Sequence, residues 1–143
     1  MARMEYARDT ERSHHHDRRR HTERVLHLAS FLPEDQRLLV EHVYRHGMPL
    51  SQLARAAGVS AERLRSRMRK TLKRMEMREF AFVAVRPELL PPDTLRTAQL
   101  LFLQGLSLRQ AAAGRGCSLH RVRLDLVAVQ SLARLHAPKP NTL

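Results

Sequence analysis

The sequence predicts an all-α protein made of two tandem helical units. Three observations carry this. Apolar residues recur at helical spacing, and no segment alternates as a half-buried strand would. Prolines and glycines punctuate the helical runs. The chain also repeats itself at a fixed offset. Leu32-Pro33-x-Asp35 is followed by Gly47-x-x-Leu50-x-Gln52-x-Ala54-x-x-x-Gly58-x-Ser60-x-x-Arg63-x-Arg65. Fifty-eight residues later comes Leu90-Pro91-x-Asp93, then Gly105-x-x-Leu108-x-Gln110-x-Ala112-x-x-x-Gly116-x-Ser118-x-x-Arg121-x-Arg123. A register that never slips marks one supersecondary unit used twice.

Residues 1–20 are polar and rich in Arg and His, with almost no apolar periodicity, so they are expected to form a flexible, fraying arm. From about Arg20, the residues Val25, Leu26, Leu28, Ala29 and Leu32 form an apolar stripe that ends at Pro33. Pro33 suits the first position of a helix, where a missing N–H costs nothing. Leu38, Leu39, Val43 and Tyr44 continue that helix, and Gly47 ends it as a left-handed cap. Pro49 and Leu50 open a short helix in which Leu53, Ala54 and Ala57 face inward. Gly58 makes a tight turn and Ser60 caps the next helix. Leu64, Met68, Leu72 and Met75 then predict the buried seam of one long helix from Ala61 to about Phe82.

Pro87 and Pro91-Pro92 break the chain, because the residue before a proline is pushed out of helical geometry. The boundary between units is therefore expected at 86–90. The second unit repeats the plan, with a helix from about Pro92 to Gln104, a short one from Ser107 to Gly114 and a last one from Leu119 to His136. The domain plan is an arm over 1–20, unit one over 21–86, a degenerate unit two over 87–137 and a loose tail over 138–143 containing Pro138 and Pro140. Units this small are expected to lean on each other.

Each unit has the punctuation of a helix-turn-helix. Ala54 and Ala112 let two helices approach closely, and Gly58 and Gly116 supply a positive φ in the turn. The first unit, Gly47 to Met68, resembles the C-terminal, promoter-reading domain of bacterial sigma factors, their region four. Leu32-Pro33, Ser60, Arg65-Ser66-Arg67 and the apolar pair Leu64 and Met68 carry that resemblance, over about residues 25–76 and more weakly over 83–136. Gln52 and Arg63 depart from it, standing where the family usually has Glu and Thr. Nothing in the sequence resembles the sigma domain that melts the promoter. The resemblance thus implies the DNA-reading fold of a bacterial or phage protein, not a complete initiation factor.

The residues support the same reading without the family. The chain carries a formal charge of +12 and a pI of about 11.5, which favours a polyanionic partner. No apolar run approaches the roughly 20 residues of a membrane span. A lone Cys117 excludes an internal disulfide, suits a reducing cytosol and reads as structural. Between Ala61 and Arg74 lie seven cations against Glu62. With the apolar seam turned inward, the first turn is expected to meet base edges, through Ala61, Glu62, Arg63 and Ser66. Ser60, Arg65, Arg67, Arg69, Lys70 and Lys73 are expected on phosphates.

The last helix is different. Arg121, Arg123 and Arg134 are opposed by Asp125, and apolar residues are too many for one stripe. It is expected to bury two faces, against unit one, a second copy or a partner. Arg115, Arg121 and Arg123, with Arg18, Arg19 and Arg20 of the arm, are expected as secondary DNA contacts.

His14-His15-His16 and His21 invite a metal reading, but no cysteine pair or paired carboxylate frames them, so no metal and no cofactor are expected. No glycine-rich phosphate loop, carboxylate pair or nucleophile arrangement points to an enzyme. The expected function is a double-stranded DNA-binding transcriptional regulator, cytoplasmic and nucleoid-associated. The rival readings are a module that docks on RNA polymerase or a sigma partner, and an architectural protein that binds DNA without sequence preference. A homodimer through residues 119–136 is a further expectation.

Overall fold

The computed structural model describes residues 2–136, with side chains from Thr10 onward. It is all-helical. In order come α1 (Ala2–Ala29), α2 (Glu34–Tyr44), α3 (Leu50–Ala57), α4 (Ala61–Met75) and α5 (Arg78–Val85). A 3-10 turn (Pro87–Leu89) leads to α6 (Pro92–Ala98), which runs on as a π-helical stretch (Gln99–Leu103), then α7 (Leu108–Arg115) and α8 (Leu119–His136).

The offset of 58 residues is a geometric repeat as well as a sequence one. Gly47, Gly58, Gly105 and Gly116 have φ of 62°, 70°, 79° and 66°. Each ends a helix in a left-handed conformation that a side chain would strain. The bonds that close these caps also match. Met48 N–H donates to His42 O at 3.1 Å, as Leu106 N–H does to Leu100 O at 3.0 Å. Val59 N–H donates to Ala54 O at 3.0 Å, as Cys117 N–H does to Ala112 O at 3.1 Å. Ser60 and Ser118 each accept from the backbone N–H three residues on, at 3.2 and 3.1 Å. The turn geometry of α3–α4, in unit one, therefore recurs in α7–α8, in unit two.

Two features differ from the sequence reading. The arm is not irregular, because α1 begins at Ala2 and is continuous to Ala29. From Thr10 to His21 every described side chain is exposed. Among the side chains described from Thr10 on, apolar burial in α1 begins at Val25. The tail from 137 onward lies outside the described residues.

The long helix expected from Ala61 to Phe82 is two helices. Met77 is extended, with φ −67° and ψ 139°. No glycine or proline marks this break. Met75 and Phe80, on either side of it, enter the first core with Val25, Ala29, Leu32, Val40 and Met68. Phe82 and Val83 enter the second, with Leu90, Ala98, Phe102, Val129 and Ala133. α5 itself serves both cores, with Phe80 in the first and Phe82 and Val83 in the second. It packs beside α8 and the π-helical stretch. In the repeat, α5 stands where the end of α1 stands in unit one, so Val83 matches Val25 and Leu90 matches Leu32.

The end of α4 and the π-helical stretch meet through Leu103, which packs against both cores, and through the guanidinium of Arg74. Arg74, near the end of α4, donates from Nε to Phe102 O at 2.8 Å and from Nη2 to Leu103 O at 3.3 Å. Its Nη2 also donates to Gln36 Oε1, and Gln36 Nε2 donates to Gln104 O at 3.1 Å. These carbonyls are the free C-terminal groups of the π-helical stretch, a site that favours a cation. Burial pushes the Arg74 pKa below its ordinary value.

Candidate nucleic-acid interface

The interface is built on α4. Leu64, Met68, Thr71 and Met75 are its buried ridge, each at most 6% exposed. That ridge settles which side chains turn out. Glu62, Arg63, Arg65, Arg67, Arg69, Lys70 and Lys73 are exposed, and Ala61 and Ser66 are half-buried. Ser60 holds the start of the helix by accepting from Arg63 N–H. Its hydroxyl hydrogen remains free in direction. The predicted base-contacting set of Ala61, Glu62, Arg63 and Ser66 thus lies on the first turns, and the predicted phosphate set follows along the same solvent face.

Arg74 is the exception among the seven cations, since it is committed to the contact with unit two. Exposed Arg55, on α3, is a cation of the helix-turn-helix that the sequence reading left out. A cleft of about 480 Å³ lies between α2, α3 and α4, lined by Leu38, Leu39, Leu53, Ala57, Arg67 and Lys70 among others. His42 also lines it, with its buried Nδ1 lacking a hydrogen-bond partner.

Unit two has used the corresponding space differently. At the position of Ala57 stands Arg115, and at that of Arg67 stands Asp125. Arg115 Nη1 donates to Asp125 Oδ2 at 2.6 Å and to Thr97 Oγ1 at 2.7 Å. Thr97 Oγ1 donates to Asp125 Oδ2 at 2.8 Å, and Thr94 Oγ1 to Asp125 Oδ1 at 3.2 Å. The two charged side chains are 10% and 3% exposed. The expectation that Arg115 touches phosphate is therefore corrected: its guanidinium is consumed by an internal ion pair. Arg121 is half exposed at 52%, with Nε 3.6 Å from Asp125 Oδ1. Arg123 is exposed, as are Arg18, Arg19 and Arg20 on α1.

One face of α8 is buried, through Val122, Asp125, Val129 and Ala133. The other is open, with Leu124, Val127 and Leu135 at 50%, 60% and 76% exposure. Of the covers expected for this helix, α5 packs on the buried face, and the open face has none among the described residues. No helix among the described residues is long and apolar enough to cross a membrane. Among them, no group of three or more His, Cys, Asp or Glu side chains is placed to hold a metal ion.

Residues 30–76 match the family model for sigma-70, region 4, a DNA-binding helix-turn-helix domain. The match runs from the end of α1 to the turn after α4, and so covers the whole of unit one's helix-turn-helix. No curated protein and no solved structure matches the chain.

Proposed function

We propose that the protein is a transcriptional regulator that reads double-stranded DNA with α4 in the major groove. The observation that carries this is the cationic outer face of α4, six exposed cations against Glu62, set by its buried ridge. The first turn meets base edges. Arg63 donates to a guanine, and Glu62 accepts from a cytosine amine. Arg65, Arg67, Arg69, Lys70 and Lys73, with the Ser60 hydroxyl, hold phosphates and set the register. The match of residues 30–76 to a DNA-binding family supports the same reading. Arg18, Arg19, Arg20, Arg121 and Arg123 are secondary contacts. The protein acts in the cytoplasm, on the nucleoid.

The test is selection of bound duplexes from a random pool at about 150 mM salt, near physiological screening. An enriched motif is expected. Arg63→Ala should relax base preference at one position. Arg67→Ala should weaken binding to every duplex and reduce the salt slope by about 1. Retention without any motif would favour an architectural protein, and affinity untouched by Arg67→Ala would overturn this docking.

A second reading has its own observation. The open apolar face of α8 is unlike a DNA-reading surface and favours a protein-docking role for unit two, with RNA polymerase or a sigma partner as the candidates.

A further inference from the structure

The repeat allows the two reading helices to be compared position by position. In α4 the outward face holds Ser66, Arg69, Lys70 and Lys73. The same positions in α8 are Leu124, Val127, Ala128 and Ser131, and the face continues to Leu135. These residues follow the spacing of a single helix stripe. Three of those four α4 positions and all four α8 positions are exposed, so the face looks outward in both units. Its chemistry has been exchanged, from cationic to apolar. A further charge change, Arg67 to Asp125, has been drawn inside by Arg115.

An exposed apolar stripe of this kind marks a docking surface. Its surroundings say what docks. Arg121 and Arg123 lie before the stripe and Arg134 lies within its last turn, all exposed. The single acid of α8, Asp125, is buried. A second copy offering the same face would bring like charges to the rim, which opposes pairing. Residues 10–24 of α1 do not fit either, because they contain no apolar group to meet the stripe. We infer that the reading-helix face of unit two is a docking site for an amphipathic helix of a partner protein, apolar along its centre and acidic at its flanks. This is the helix-against-helix mode of recognition. It deepens the protein-docking reading of unit two and does not need unit one to read DNA.

The test uses the full chain and two dye-labelled synthetic helical peptides with one leucine face, flanked by Glu in one and by Lys in the other. Binding is followed by fluorescence anisotropy without DNA, at about 150 mM salt. The Glu-flanked peptide should bind at least about tenfold tighter than the Lys-flanked one. Val127→Arg, which restores the charge found in unit one, should weaken it at least about tenfold while leaving thermal unfolding and duplex binding unchanged. Arg67→Gln should leave peptide binding unchanged. Sedimentation should show a monomer. Three results would overturn the inference. Neither peptide binds; or binding is lost in Arg67→Gln and kept in Val127→Arg, meaning that unit one holds the peptide as a polyanion; or the chain forms a dimer that Val127→Arg dissolves, making a second copy the occupant. Duplex binding is measured separately, so failure of DNA reading by unit one would not be mistaken for failure of this site.

Discussion

Replacing Asp125 by Ala should damage unit two more than any exposed change could. The carboxylate is 3% exposed and takes hydrogen bonds from Arg115, Thr97 and Thr94. Unit charges about 4 Å apart attract by about 4 kcal/mol at an effective dielectric near 20. Desolvation of both groups offsets much of that, so the pair itself adds little net stability. Removing one partner is another matter, because Arg115 then stays buried with only the exposed Asp93 carboxylate, 3.9 Å from its Nη2, to face its charge. Such changes cost about 3–5 kcal/mol. For a chain of this size that is a fall in melting temperature on the order of 10 °C. Urea unfolding followed by helical circular dichroism would measure it, fitted with two transitions if the two cores come apart separately. The paired change Arg115→Met with Asp125→Leu should recover most of the loss, since a buried ion pair replaced by apolar groups is often neutral. Thr97 keeps an alternative acceptor in Asp93 O, 3.4 Å from its hydroxyl. A loss below about 1 kcal/mol for Asp125→Ala, the range of an exposed pair, would refute the buried-pair argument. So would a paired variant as unstable as the two single losses added.

Other outcomes follow from the repeat. Gly47→Ala and Gly105→Ala should each lose about 1 kcal/mol through their positive φ, but a Cβ at Gly47 meets open space while one at Gly105 would lie 2.1 Å from Arg74 Nη1. Gly105→Ala should therefore be the more destabilising, and Arg74→Ala should erase most of that difference in thermal unfolding. Ser60→Ala and Ser118→Ala should each cost about 1 kcal/mol as lost helix caps. Only Ser60→Ala should also weaken duplex binding in a salt titration, since only Ser60 opens the cationic helix.

Much of the fold was legible because its signals are local. Glycine at four repeated sites needs no tertiary partner to prefer a left-handed cap. A serine ahead of a cationic helix accepts a hydrogen bond from its own chain. The ridge of Leu64, Met68 and Met75 declares its face by spacing alone, and it settled which cations of α4 turn outward. The break at Met77 carried no such signal. The helical pattern runs through it, and the chain beyond the turn sends Phe80 to one core and Phe82 to the other.

The amino-acid sequence by itself determined the two units, their caps and the charged face of α4, since each depends on neighbours a few residues away. Tertiary structure alone decided the fate of individual charges. Arg74 and Arg67 look alike along the chain, yet one is spent on the carbonyls of Phe102 and Leu103 and the other stays exposed. Arg115 is drawn onto Asp125, ten residues away, by a pocket built with Thr94 and Thr97 of another helix. A charged side chain takes its role from what lies within a few ångströms of its tip, and packing between distant segments decides that.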